Sequence, residues 1–107
     1  MAEIGVVFCT VGNLESAESI AKALVESKLA ACVNIIKNLT SVYTWENKLC
    51  QEDEILLVIK TRENLFEELK AKIIELHEYS LPEIIFLPVT NGHEPYINWV
   101  MNECKTP

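Results

Sequence analysis

The sequence predicts one α/β domain of the α+β kind, an antiparallel sheet with helices on one face and an additional helix at its C-terminal end. Three observations predict it. Residues 4–11, 55–59 and 84–89 are short apolar runs rich in β-branched side chains, which read as strands. Residues 14–25 and 65–76 carry apolar side chains at helical spacing. Residues 32–60 read as one long hairpin, two β-type stretches folded back through Glu46-Asn47-Lys48. With 107 residues, the chain is one domain throughout, 1–107.

The elements follow in order. Ile4, Val6, Val7 and Val11 make the first strand, and Gly12-Asn13 breaks it. Asn13 is placed to cap the helix that follows, with Glu15 near that helix's positive end. Leu14, Ala17, Ile20, Ala21, Leu24 and Val25 give the helix its apolar face, and Lys28 suits its C-terminal end. The hairpin comes next, with Asn47 tolerating the left-handed backbone of a tight turn. Leu65, Phe66, Leu69, Ile73 and Leu76 mark the second helix, capped by Thr61 or by Asn64 with Glu67 as a capping box. In the fourth strand Pro88 lacks an amide hydrogen, so an unpaired position or a bulge is expected there. Pro95 opens the last helix, along one face of which lie Tyr96, Val100 and Cys104. The order is β-α-β, β-α-β, then α, the ferredoxin-like split βαβ arrangement.

That arrangement covers only one face of the sheet, yet the strands are apolar at consecutive positions, as strands buried on both faces are. The hairpin also offers an unpaired edge. A homo-oligomer answers both needs.

Composition narrows the function. The net charge of −7 repels phosphate backbones, and the nine Lys and Arg form no patch, so nucleic acid is not an expected partner. No segment approaches the roughly 20 apolar residues of a membrane span. Lys22 is the first basic residue, so no charged leader precedes the first apolar run, and a cytoplasmic protein is expected. The four cysteines, Cys9, Cys32, Cys50 and Cys104, form no C-x-x-C pair, which speaks against a structural zinc site or a disulfide framework. No nucleophile elbow, P-loop, dinucleotide fingerprint or H-E-x-x-H motif is present, so no enzyme is expected.

The chemistry-bearing groups each have a plain structural alternative. Cys9 reads as a small core residue or as a soft ligand for Cu(I). His77 reads as a donor at a helix C-terminus or as a metal ligand. Tyr43, Trp45, Tyr79 and Trp99 read as packing or as the wall of a small-molecule pocket, with Lys60 and Glu83 as polar partners. Glu52-Asp53-Glu54 and Glu67-Glu68 read as solvated faces, since neither has a calcium-loop pattern.

Several segments, in order and at matching spacing, resemble the CutA family of divalent-cation tolerance proteins. They are Leu29-Ala30-Ala31-Cys32-Val33-Asn34-Ile35, Ser41-x-Tyr43-x-Trp45-Glu46, Lys60-Thr61, His77-x-Tyr79-x-x-Pro82-Glu83-Ile84, and Tyr96 with Trp99. The resemblance implies a ferredoxin-like homotrimer with a role in tolerance of divalent metals, copper above all. It also implies copper ligation by Cys9 and His77, while the family's other histidine position is Leu76, which cannot ligate. Glu78 stands where the family commonly has proline, and Asn47 where it has glycine. The family is further similar to PII-type signalling trimers, which bind small molecules between subunits. Three readings therefore stand: a metal-responsive trimer, a small-molecule module with Tyr43, Trp45, Lys60, His77, Tyr79 and Glu83 at a subunit seam, and a structural trimer for partner docking.

Overall fold

The computed structural model describes residues 3–107. Strand β1 (Ile4–Val11) leads into helix α1 (Leu14–Glu26), then β2 (Cys32–Trp45), β3 (Lys48–Arg62), helix α2 (Phe66–Leu76), β4 (Ile85–Pro88) and helix α3 (Glu94–Glu103). The four strands form one antiparallel sheet in the order β2-β3-β1-β4. Each βαβ unit thus skips a strand, β3 filling the gap in the first and β1 the gap in the second, the split βαβ topology expected from the element order.

All three helices share one core with one side of the sheet. Ala17, Ile20 and Leu24 of α1, Leu69 and Ile73 of α2, and Val100 and Cys104 of α3 pack on Val7, Cys9, Val11, Leu57 and Ile59. Strand alternation puts the neighbours of these residues on the opposite face. There Phe8 pairs with Val58 and Ile85, Val6 with Leu87, and Leu56 with Thr10 and Ile36. Among the described residues no helix covers this outer face, and Ile36, Ile85 and Leu87 stay exposed on it.

Local chemistry sets the ends of the elements. Asn13 Oδ1 accepts from Ser16 N at 2.8 Å and caps α1 as expected. The helix stops at Glu26, and Lys28 then takes a left-handed backbone, φ 61°. The hairpin turns through Glu46 and Asn47, both left-handed, between the paired residues Trp45 and Lys48. Two consecutive left-handed residues are the two-residue turn that matches strand twist. Gly5 lies where a Cβ would come 2.2 Å from the Phe86 ring and 2.6 Å from Leu87 O, so β4 can approach β1 only over a glycine. Pro88 is neither unpaired nor at a bulge as expected; it pairs with Gly5 as the last residue of the edge strand, where a missing donor is tolerated.

Four further local expectations are corrected. Thr61 caps no helix; it ends within β3, fully buried, and its hydroxyl donates to Leu29 O at 2.7 Å. Asn64 caps none either, because a 3-10 turn, Glu63–Leu65, precedes α2 and neither start has a side-chain cap. The fourth strand is shorter than residues 84–89, since only Gly5–Phe8 of β1 has a partner there. Tyr96 is not on the buried side of α3; it is exposed and packs against Trp99, ring centroids 5.6 Å apart, while Val100 and Cys104 face the core.

The hairpin is not regular. Ile36 pairs with Leu56 and Leu39 with Glu54, so Lys37 and Asn38 together oppose Ile55 alone. This is a β-bulge, with Asn38 at φ 62°. Beyond it the two strands run on as an arm on which Val42, Trp45 and Leu49 are exposed.

Candidate functional site

The site lies where β1 ends, α1 begins and the loop after α2 returns to the sheet. Strand β4 stops pairing at Phe8, and beyond it the loop takes over. His77 Nε2 meets Thr10 O at 2.8 Å, and His77 Nδ1 accepts from Tyr79 N at 3.0 Å. Since Nδ1 is an acceptor, the ring's proton sits on Nε2 and donates to Thr10 O. The imidazole does not serve its own helix's carbonyls, the structural role expected of it; only its backbone N–H does, bonding Ile73 O at 2.8 Å.

Cys9 points to the helix side and is fully buried. Its Sγ also reaches Thr10 O, at 3.9 Å. Burial, with the charges of Glu83 and Glu54 adding, pushes the thiol up to about 12 from its ordinary 9.0. The group is a neutral thiol at neutral pH, not the thiolate a metal takes. Among the described residues no group of three or more His, Cys, Asp or Glu is placed to hold a metal ion.

Tyr79 continues past His77, its ring 4.7 Å from the imidazole, and its hydroxyl donates to Glu54 Oε2 at 2.8 Å. It passes over Gly12, where a Cβ would stand 3.1 Å from the Tyr79 hydroxyl. Tyr43 donates to Glu52, one alternation further along the same face of β3. Burial and the Glu54 bond raise the Tyr79 phenol, and the Glu52 bond pushes the exposed Tyr43 phenol up to about 12. A cleft of about 440 Å³ opens beside this group at the bulge, lined by Gly12, Lys37, Thr40, Asp53 and Glu54.

The fold therefore joins Cys9 with His77, and Tyr43 and Tyr79 with two carboxylates. Glu83 lies two residues before β4, exposed, with its charge felt at Cys9. Trp45 stands half exposed at the arm's tip. Lys60 is elsewhere: it faces Val6 and Cys32 near the other end of the sheet and donates to Asn34. Within one chain Lys60 does not reach the Tyr43–Tyr79 group. Sequence reasoning missed Glu54, read as a solvated acid but buried at 9% exposure. Its signal was the spacing of Glu52 and Glu54, which puts both carboxylates on one face of a strand.

The CutA1 divalent ion tolerance family model matches residues 5–103. This chain belongs to that family. The divalent-cation tolerance protein CutA of Thermus thermophilus is 46% identical over 95 residues, covering 89% of this chain and 92% of that protein. The chloroplastic protein CutA of Arabidopsis thaliana is 45% identical over 94% of this chain. The chain spans only 55% of that plant protein's length, and 54% of the human protein CutA, to which it is 41% identical. Among solved structures, CutA1 from Oryza sativa superposes with a TM-score of 0.96 at 40% identity, covering 99% of this chain and 97% of that one. The Thermus thermophilus divalent cation tolerance protein gives 0.93 at 43% identity, covering 95% and 99%.

Against the CutA pattern, the two departures have local explanations. Asn47 takes φ 65°, the conformation glycine adopts most easily. Glu78 accepts from Asn13 Nδ2 at 3.2 Å, so a cross-link to the cap of α1 stands in for the stiffness of a proline. Leu76, which cannot ligate a metal, is partly buried against the core.

Proposed function

We propose that this CutA protein is a homotrimeric, non-catalytic binding protein of metal-ion tolerance that takes copper weakly, as Cu(I), at Cys9 and His77. The observation that carries the reading is the convergence of one thiol and one imidazole nitrogen on Thr10 O. The two are no further apart than the sum of those contacts, and Cu(I) tolerates low coordination and soft ligands. Capture displaces the bond to Thr10 O and must deprotonate a buried thiol, which keeps affinity low. Zn(II) and Cu(II), which want more ligands, are disfavoured. The uncovered outer face, with Val6, Phe8, Leu56, Val58, Ile85 and Leu87, supports assembly with further copies.

Competitive Cu(I) titration of the wild type against Cys9→Ser and His77→Ala tests the copper reading, with native mass spectrometry reporting subunit number. Weaker binding in both variants of a three-copy assembly is the expected result. Unchanged affinity in both variants overturns the copper reading, and a monomeric mass overturns the trimer. The cleft beside Tyr79 and Glu54 favours a second reading, a small-molecule module at a subunit seam. A co-purifying small mass in the same spectrum, lost in Tyr79→Ala, would favour it over copper.

A further inference from the structure

Arg62 is the only arginine in the chain. It ends β3 opposite Ile4, at the end of the sheet away from Tyr79. Its Nη1 reaches Met101 O at 3.5 Å, a long contact with the last turns of α3, where a cation suits the helix's negative end. That contact uses one of the guanidinium's five N–H donors. Nε is buried and has no partner, and no carboxylate pairs with Arg62 among the described residues. A buried donor left unmade is costly, and more so when charged.

The same side chain lines a cleft of about 320 Å³ with Glu3, Glu63, Asn64 and Met101. That volume is within the range of small-molecule sites. The 3-10 turn that starts beside it has no side-chain cap, although Glu63 N donates to Glu3 O at 2.9 Å. Charge decides what fits. A plain anion meets Arg62 but also two carboxylates, Glu3 and Glu63. A plain cation meets those carboxylates but also a guanidinium. A molecule bearing both charges a few ångströms apart satisfies all three.

We propose that this cleft binds a free α-amino acid, its carboxylate on the Arg62 fork and its ammonium between Glu3 and Glu63. A guanidinium holds a carboxylate through two parallel hydrogen bonds, and since Nε is closed to solvent the pair is the one its terminal Nη groups supply. Met101 supplies an apolar wall for the amino acid's side chain. The site is independent of Cys9 and His77, and the copper reading can fail without touching it.

The test is titration of the ¹⁵N-labelled protein, in whatever assembly it forms in solution, with L-alanine, and separately with acetate and with ethylammonium. Saturable shifts at the amides of Arg62 to Leu65 with L-alanine alone are expected. Arg62→Gln, and Glu63→Gln at an exposed position that the fold does not need, should each weaken binding by about tenfold or more. Cys9→Ser should leave it unchanged. No saturable shift, equal binding of acetate, or wild-type affinity in both Arg62→Gln and Glu63→Gln would overturn the proposal.

Discussion

The thiol of Cys9 and the imidazole of His77 meet on a single atom, the carbonyl oxygen of Thr10. The imidazole closes the strand edge that β4 leaves open, and its other nitrogen holds the Tyr79 amide. His77→Ala removes both bonds, and its expected cost is about 1–3 kcal/mol. Urea denaturation measures that loss. Hydrogen exchange should locate it, with the Tyr79 amide losing protection while the amides of α1 keep theirs.

The buried thiol gives stability a dependence on alkaline pH. Unfolded, Cys9 ionises near 9.0; folded, it keeps its proton to about 12. Between those values the unfolded chain has released a proton that the folded chain retains, so stability falls as pH rises through this window. Below pH 9 the thiol contributes no slope. Tyr79 and Tyr43, both raised from 10.0, act in the same direction at slightly higher pH. Urea midpoints at pH 8 and pH 10.5 should differ in the wild type and differ less in Cys9→Ala.

Tyr79→Phe deletes one hydroxyl and leaves the buried Glu54 carboxylate short of a donor. A hydrogen bond to a charged group contributes about 1.5–3 kcal/mol, and a loss in that range is expected by denaturant titration. Gly12→Ala should reproduce part of it, because the new methyl would stand 3.1 Å from the Tyr79 hydroxyl and push it away. The double variant should then cost less than the sum of the two. Full additivity would show that Gly12 and Tyr79 do not act on one bond.

At the arm's tip Glu46 holds a left-handed backbone, φ 50°, with no special chemistry to ease it. Glu46→Gly removes that strain and Glu46→Asn reduces it, and each should raise stability by about 0.5–1 kcal/mol. Asn47→Val should lower stability, since a β-branched side chain resists φ 65°. Thermal melts of these variants check both signs.

Much of this architecture was legible in the sequence because it follows local rules. The apolar spacing of Ala17, Ile20 and Leu24, the cap at Asn13 and the turn at Asn47 depend on near neighbours only. What stayed illegible depends on register. Thr61 has the chemistry of a cap, but pairing with Gly5 carries it into a strand, where it bonds Leu29 instead. Glu54 resembles its solvated neighbours until Tyr79 arrives from a distant loop. The partnership of Cys9 with His77 rests on a loop crossing that no spacing reveals. The family resemblance pointed to these two residues, and both side chains reach the carbonyl of Thr10.

The bulge at Lys37–Asn38 has a consequence for how this arm can change over generations. Before it, Cys32, Asn34 and Ile36, even-numbered residues, share the outer face; after it, odd-numbered Leu39, Ser41 and Tyr43 do. One inserted residue has switched the strand's parity. Losing Asn38 alone would erase the bulge and leave Leu39 opposite Glu54 and Tyr43 opposite Cys50, whereas losing one residue beyond the bulge would carry every later side chain of β2 to the other side. Lineages lengthening the arm are thus confined to matched additions at the tip, one residue on each strand and two such pairs at a time if the tip's side chains are to keep their sides. A single-codon deletion in β2 beyond the bulge should be purged, whereas paired gains beside Glu46 and Asn47 should be tolerated.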